Sequence, residues 1–576
     1  MKKTSFEILL TYLKKERKLL FLFLSVRLLM TAIDIYSPLL IKNLVDKALP
    51  TKDINLLGEY SIILVILYIL RLGLAVNSQV NGKLMGSTIK QNMRNDLITK
   101  ITHQPLEFFK KNQSGDIISR VMNDLDSVST LCHRGLEDFI FSVITIGASI
   151  FIMFDFNPTL TWISLIPLPF ALYFVYKENR KMKSGYRTIR KNSGALSSTL
   201  HNSLRTMSFL KDHFLEDYAE KEFKEKNNDL LKSEKKNMLP SSLLVSGVTF
   251  YSNITQLIII LAGGYLYIKN GITMGVILSF LLLVDRFRLR LMRMVGLIDI
   301  YQKGVSGVTR FSEFIHLKDR DDGHIILNDK IETIEFKNIS FSYDEKNILK
   351  DLNLKINAGE KIALVGESGI GKSTTASLLK RGILPTNGEI LINGIPLNSI
   401  TFKSYLNKLG IVDQSDYILN KTVIENIQMI KDSCSTKELE IAFNKSYLHE
   451  MLEKFPDKEN TFIGEGGVHI SSGQKQKIAM ARLFLKNPDL ILLDEATNAL
   501  DIINEKSILK NIKQDFNDRI VIAITHRLSI LEDFDKIYVI GEENIVESGT
   551  FNELITKKGK FYRLYNGIRE NDISSS

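Results

Sequence analysis

The sequence predicts an α-helical membrane domain of six spans joined to an α/β domain built on a phosphate-binding loop, and three observations predict it. Six apolar stretches lie in the N-terminal half, each long enough to cross ~30 Å of hydrocarbon. Charge is shared unequally: the 576 residues carry a net +10, but residues 331–576 hold 31 Lys and Arg against 35 Asp and Glu, leaving 44 against 30 in residues 1–330. Residues 361–374, KIALVGESGIGKST, join a short run of buried-strand type to the pattern G-x-x-x-x-G-K-[ST].

Residues 1–18 mix charges with Phe6, Leu9, Leu10 and Leu13, the pattern of a short helix lying on a membrane surface. No small-residue cleavage site follows, so the segment is not expected to be removed. The spans run over about 19–41, 56–76, 139–156, 160–176, 243–268 and 272–292. Lys and Arg collect before the first span and in the long stretches 77–138 and 177–239, while the intervening loops have few and Asn157–Pro158 has none. By the positive-inside rule both termini face the cytoplasm. The two long basic stretches lack linker composition and read as helices extended beyond the membrane. The same pairing of basic excess with apolar spans points to topology and excludes a nucleic-acid partner, which would need basic patches without spans. Cys132 and Cys434 are the only cysteines and have no CxxC or histidine spacing, which excludes a disulfide framework or a zinc site.

Arg27, Asp34, Glu59, Arg71, Asp285, Arg286 and Arg288 fall inside spans, where a charge facing lipid is costly, so they are expected to face the bundle interior or a water-filled path. For Arg286, Arg288, Arg290 and Arg293 a second reading stands: they lie ~20 Å or more along the sixth span, where long cationic side chains snorkel to headgroups. Asp285 and Arg288 are three apart and can pair.

From about residue 321 the composition becomes that of a soluble α/β domain. ETIEFKNISFSY alternates polar and apolar at period two, an early strand with Tyr343 at its end. That tyrosine either caps a core or offers an aromatic face to a base. In the loop, Gly366, Gly369 and Gly371 let successive N–H groups turn inward as a phosphate cradle at a helix N-terminus, completed by Glu367, Ser368, Ile370 and Thr374. Lys372 reaches terminal phosphates and Ser373 can hold Mg²⁺. Further on, PDLILLDEATNALD ends an apolar strand with Asp494 and Glu495, at the strand end where open α/β sheets bind ligands. Asp494 suits a Mg²⁺-linked carboxylate and Glu495 a base for an attacking water; the alternative is a solvated acidic turn. A second apolar strand, Ile520–Ile524, ends in Thr525 and His526, the same strand-end placement.

These residues in this order resemble the ATP-binding-cassette exporters of the half-transporter type, over nearly the whole chain. The resemblance implies a RecA-like core with a helical subdomain, and boundaries at 1–18 for an elbow helix, 19–315 for the membrane domain, 316–330 for a linker, 331–570 for the nucleotide-binding domain and 571–576 for a tail. It implies ATP and Mg²⁺ as cofactors, Tyr343 as the adenine-stacking position, and Gln414 as the Q-loop glutamine touching Mg²⁺. Ser471, Gly473 and Gln474, in ISSGQ, are similar to the signature LSGGQ, Asp501 to the D-loop acid, and His526 to the switch histidine beside the catalytic Glu495. Residues near 105–128 and 204–216 resemble the coupling segments, and Glu465 the loop that senses them.

In the family the signature completes the ATP pocket of an opposite subunit, so a homodimer or a heterodimer with a relative is expected. Two positions depart from the pattern. Ser472 stands where the first signature glycine belongs, and its side chain would crowd the phosphate; Asp413 stands where a proline often precedes the Q-loop glutamine. The implied activity is ATP-driven export of a hydrophobic or amphipathic drug, lipid or peptide across the cell membrane, with the Asp/Arg cluster of the sixth span as one candidate contact for an anionic or zwitterionic cargo. The alternative is a membrane ATPase that drives a signalling partner without cargo of its own. No peptidase domain precedes the spans, which disfavours a leader-cleaving peptide exporter.

Overall fold

The computed structural model describes residues 5–574, apart from 113, 318–321, 344–345, 368, 414–416, 432 and 542. The chain forms two compact units, one from Met1–His103 with Asn112–Lys318, the other from Gln104–Lys111 with Asp319–Ser576.

The first unit is helical throughout. Among the described residues five helices are long and apolar enough to cross a membrane: Arg17–Thr51, Ile54–Thr102, Ser114–Phe156, Pro158–Arg205 and Glu216–Ile268. All five run well past the ~20 residues that a bilayer requires, as the basic stretches between spans led one to expect. Their ends are set by local chemistry. Asp53 accepts the N–H groups of Asn55 and Leu56 at 2.9 and 3.2 Å to start the second helix. Asn157 accepts the N–H of Leu160 at 2.8 Å, with Pro158 at the first helical position, so the third and fourth helices are separated by little more than a cap.

The sixth helix, Met274–Ile315, differs: its first three turns are free of charge, and then come Asp285, Arg286, Arg288 and Arg290. Its start is held from outside, because Asp46 accepts Thr273 Oγ1 at 2.5 Å and the Gly275 N–H at 2.8 Å. A Cβ at Gly275 would lie 2.5 Å from the Lys42 carbonyl oxygen, so only glycine lets the two helices approach there.

The N-terminal helix, Ser5–Lys15, packs much of its apolar face on protein. Ile8, Leu9, Tyr12 and Leu13 are buried against protein, Tyr12 stacks edge-on to Phe311 with centroids 5.9 Å apart, and its hydroxyl donates to Asp96 at 2.6 Å. The apolar face is therefore largely occupied by the bundle itself, leaving Phe6 as its exposed aromatic.

The described residues of the second unit hold twelve strands in chain order: β1 Thr333–Tyr343, β2 Lys346–Asn357, β3 Lys361–Val365, β4 Asn387–Ile392, β5 Ile395–Pro396, β6 Leu409–Val412, β7 Lys421–Thr422, β8 Phe462–Ile463, β9 Leu490–Asp494, β10 Ile520–Ile524, β11 Lys536–Gly541 and β12 Asn544–Gly549. They form a six-stranded sheet in the order β12-β11-β3-β10-β9-β6, a four-stranded sheet β2-β1-β4-β5 and the pair β7-β8. Strand β1 buries Ile334, Phe336, Ile339 and Phe341, but not at the unbroken period two expected of it. A bulge with Asn338 at φ +49° shifts the parity between Phe336 and Ile339.

In the six-stranded sheet β3, β9 and β10 are buried at every position, which is why they read as continuous apolar runs. Ile362 and Leu364 enter one core and Ala363 and Val365 the other, so both faces are covered. The strands are parallel and in register, with Ile524 beside both Leu364 and Asp494, so three strand ends open on one edge of the sheet. A separate helical lobe packs around Val423, Ile427, Leu439, Phe443, Met451 and Ile478.

Candidate active site

The loop after β3 turns into the helix Lys372–Leu379 through Gly371, whose φ of +110° an L side chain rarely adopts and whose Cβ would lie 2.9 Å from Leu349 Cδ2. Lys372 is buried and donates from Nζ to the carbonyls of Gly366 and Glu367 at 2.8 and 2.7 Å. Burial lowers its pKa, against the pull of the Glu495, Asp494 and Glu367 carboxylates. An ammonium held on its own loop's carbonyls is poised to exchange them for phosphate oxygens.

At the ends of β9 and β10 a second cluster assembles. Glu495 sits at φ +52°, a left-handed conformation unusual for a side-chain-bearing residue, and its N–H donates to the Ile524 carbonyl at 2.9 Å. Its carboxylate is gripped on both sides: Oε1 lies 3.2 Å from His526 Nε2, and Oε2 accepts from Asn498 Nδ2 at 3.0 Å. Asp494 is buried at the strand end, and burial raises its pKa while the Lys380 ammonium, 3.6 Å away, opposes the rise. Lys380 in turn pairs with Asp413 at 2.8 Å.

The helix Ser472–Lys486 starts at Ser471 with a capping box: Ser471 Oγ accepts the Gln474 N–H at 3.3 Å, and Gln474 Oε1 accepts the Ser471 N–H at 2.8 Å. A Cβ at Gly473 would come 2.8 Å from the Ala499 carbonyl oxygen, so glycine is required where this helix meets the turn after β9. Asp501 caps the next helix, Ile502–Asp515, by accepting the Asn504 N–H at 2.8 Å, and that backbone bond lowers its pKa. Beside the signature helix a cavity of about 520 Å³ is lined by Tyr417, Asn420, Glu465, His469, Ser472 and Lys475, among others.

Residues 20–288 match the family model described as the ABC transporter transmembrane region, and residues 349–498 the model described as ABC transporter. An uncharacterized ABC transporter ATP-binding protein of Bacillus subtilis (strain 168) is 30% identical over 96% of this chain and 97% of its own length. The chain belongs to the ABC transporter family. It fuses one membrane region to one ATPase, the arrangement of an exporter half-transporter, and couples ATP hydrolysis to transport. An ATP-dependent lipid A-core flippase of Syntrophus aciditrophicus (strain SB) is 30% identical over 91% of this chain and 88% of its own. The structure of a bacterial Atm1-family ABC exporter with ATP bound shares the fold at a TM-score of 0.82, with 22% identity over 96% of this chain and 98% of that one.

Within this ABC transporter, Gly366, Glu367, Gly369, Ile370, Gly371, Lys372, Ser373 and Thr374 form one loop and helix start, close to Asp494, Glu495 and His526 through the aligned strand ends. Ser471, Gly473 and Gln474 lie at a different helix start, packed on the turn after β9 through Gly473 and Ala499, and Asp501 caps the helix that follows that turn. Ser368 and Gln414 lie outside the described residues, as does the side chain of Tyr343, whose backbone ends β1. Among the described residues no group of three or more His, Cys, Asp and Glu could hold a metal alone. A Mg²⁺ ion here would need phosphate oxygens as ligands, beside the Ser373 hydroxyl and the Asp494 carboxylate, a hard-oxygen set that suits it.

Three residues of the site escaped the sequence reading. Gln476, buried, accepts the Ala499 N–H at 3.1 Å. Arg527 donates to Asn498 O at 2.7 Å and to the buried Glu505 at 2.6 Å, bracing the turn that carries Asn498. Lys380 is the partner of Asp413, the residue that departs from the family pattern, and that departure was the available signal. Ser472, the other departure, is exposed at the first position of its helix, beside the 520 Å³ cavity.

Proposed function

We infer that two cassettes, from two copies of this chain or from this chain and a relative, clamp ATP and Mg²⁺ between the loop 366–374 of one and the Ser471–Gln474 helix start of the other. Closure travels along the cytosolic helix extensions and turns a membrane cavity outward; hydrolysis resets it. ATP drives the cycle by binding the closed state more tightly than the open one. Lys372 holds the terminal phosphates, Asp494 and Ser373 the metal, and Gln414 links it to the membrane part. Tyr343 stacks on adenine, Glu495 polarises the attacking water, and His526 steadies the glutamate and the γ-phosphate.

The observation that carries this reading is the Glu495 carboxylate, held in a strained backbone between His526 and Asn498 at the edge where the Lys372 loop also opens. The exposure of Ser471 and Ser472, beside a cavity whose lining includes no described residue of 366–374, supports a signature that serves a second subunit.

The chain sits in the cell membrane with both termini in the cytoplasm, in contact with membrane lipids, and moves a drug, lipid or peptide of hydrophobic or amphipathic character outward. Inside-out vesicles carrying the chain, alone or with a co-expressed relative, should accumulate at least one member of a dye, lipid and peptide panel when given ATP. Uptake should stop with Glu495→Gln. ATP hydrolysis with no movement of any member would favour the regulatory alternative.

A further inference from the structure

We propose that the charged layer around Arg290 binds an oxyanion carried by the cargo, so that the transported molecules are anionic amphiphiles, an apolar body bearing a phosphate, sulfate or carboxylate. The inference rests on the export reading and names its substrate class.

Arg290 is 7% exposed, which rules out the snorkelling geometry that its place along the sixth helix allowed. Among the buried charged side chains of the described residues it alone has neither ion pair nor hydrogen bond, and its Nη1 is buried with no partner. The others are all held. In the bundle Arg27 pairs with Glu137 at 2.7 Å, Asp34 takes Arg71 and also Arg286 at 3.3 Å, Asp138 takes Arg293 and Arg134 at 3.6 and 3.7 Å, and Glu178 takes Lys181 at 2.8 Å. Asp285 on the same helix is used by Arg288 at 2.9 Å.

The charges acting on Arg290 are Arg27 and Arg293 of its own sign and Asp34 and Glu137 of the opposite sign. Each of those acids already serves another guanidinium, so the layer is short of negative charge. A guanidinium withdrawn from water without a counter-charge is costly, and within a bilayer the cost is met by a functional partner. Guanidinium nitrogens are suited to oxyanions because their planar fork matches two oxygens at once.

The apolar body follows from the export reading, which expects a hydrophobic or amphipathic cargo. The bundle also has an apolar cavity of about 590 Å³, lined from the first and second helices by Leu29, Ile33, Tyr36, Leu67, Leu70 and Leu74, among others, with no charged side chain and no sixth-helix residue among its described lining. Leu29, Tyr36 and Leu70 are exposed, so it opens toward hydrocarbon.

The test uses the full chain, with its relative if one is needed for ATPase activity, in nanodiscs of zwitterionic lipid. Binding of radiolabelled dodecyl phosphate, dodecyltrimethylammonium and dodecyl maltoside is measured without nucleotide, with inorganic phosphate as competitor. The phosphate ester should bind about tenfold or more tightly than the other two, inorganic phosphate should fail to compete, and Arg290→Gln should remove that preference while leaving maltoside binding intact. Arg290→Lys should retain part of it.

Equal affinity for the three probes in the unmutated chain overturns the proposal without any variant. Full competition by inorganic phosphate overturns the amphiphile class. Loss of all three probes together with a lowered Tm in both variants makes Arg290 a structural residue, paired within the bundle or across subunits, and also overturns it. A chain that prefers dodecyl phosphate yet moves nothing with ATP refutes export and keeps the site; one that exports neutral dyes with no charge preference does the reverse.

Discussion

The two units treat buried charge differently. In the α/β unit Lys361 and Arg381 donate to the carbonyls of Gly359 and Ile400, Glu505 takes Arg527, and Asp489 is shared by Lys408 and Arg519. Lys372 rests on its own loop. In the membrane unit Asp34 and Asp138 each take two guanidiniums, and among the buried charges of the described residues Arg290 is left without an ion pair or hydrogen bond. A unit whose ionic contacts close on themselves can hold catalytic groups in place through a cycle. A unit whose contacts do not close is completed by something that arrives and leaves.

The largest effect expected from breaking this contrast is in the closed unit. Glu495→Gln keeps the contacts to Asn498 and His526 but removes the carboxylate proposed as the base, and should lower ATP hydrolysis by on the order of 10²–10⁴-fold while ATP stays bound, read as phosphate release and as nucleotide retained on gel filtration. Next comes Arg527→Ala, which strips a buried glutamate of its counter-charge and should destabilise the α/β unit by about 3 kcal/mol in denaturant unfolding. Arg290→Gln removes a charge that has no partner, so the same measurement on the bundle should show no loss. A comparable loss there would erase the contrast between the units.

Asp494 sharpens the comparison by showing where the closed unit accepts cost for function. Burial raises its carboxyl pKa in the folded chain, so across the window above the ordinary aspartate value the folded state binds more protons than the unfolded one. Stability therefore falls as pH rises through that window, and the ionised form is a burden at neutral pH. Asp494→Asn should raise the Tm of the nucleotide-free protein, by about 1 kcal/mol or ~2–4 °C, while Mg²⁺-dependent hydrolysis is lost.

Lys372 has the opposite protonation sign and the same meaning. Its lowered pKa makes its charged form costly, so stability rises with pH as it deprotonates in alkaline solution. The smallest effect is at Asp413: Asp413→Asn frees Lys380 to lean on Asp494, and should raise the Mg²⁺ concentration for half-maximal hydrolysis by about threefold, measured by Mg²⁺ titration at saturating ATP.

What could be read along the chain was whatever neighbours in sequence decide. The cradle of 366–374, the acids ending β9, the histidine ending β10 and the apolar stretches of the spans each lie within one short segment, because glycine conformation, strand burial and helix length are local properties. The elbow helix was legible as amphipathic, but the face that covers it belongs to Asp96 and Phe311, far along the chain.

Pairing was decided only by the tertiary structure. Whether Arg290 snorkels or is buried, which guanidiniums share Asp34, and that Lys380 bridges Asp413 and Asp494 all depend on segments brought together from tens to hundreds of residues apart. A charge pattern records that such groups exist; only packing sets their distances, and the strength of an ionic contact is a function of distance and burial.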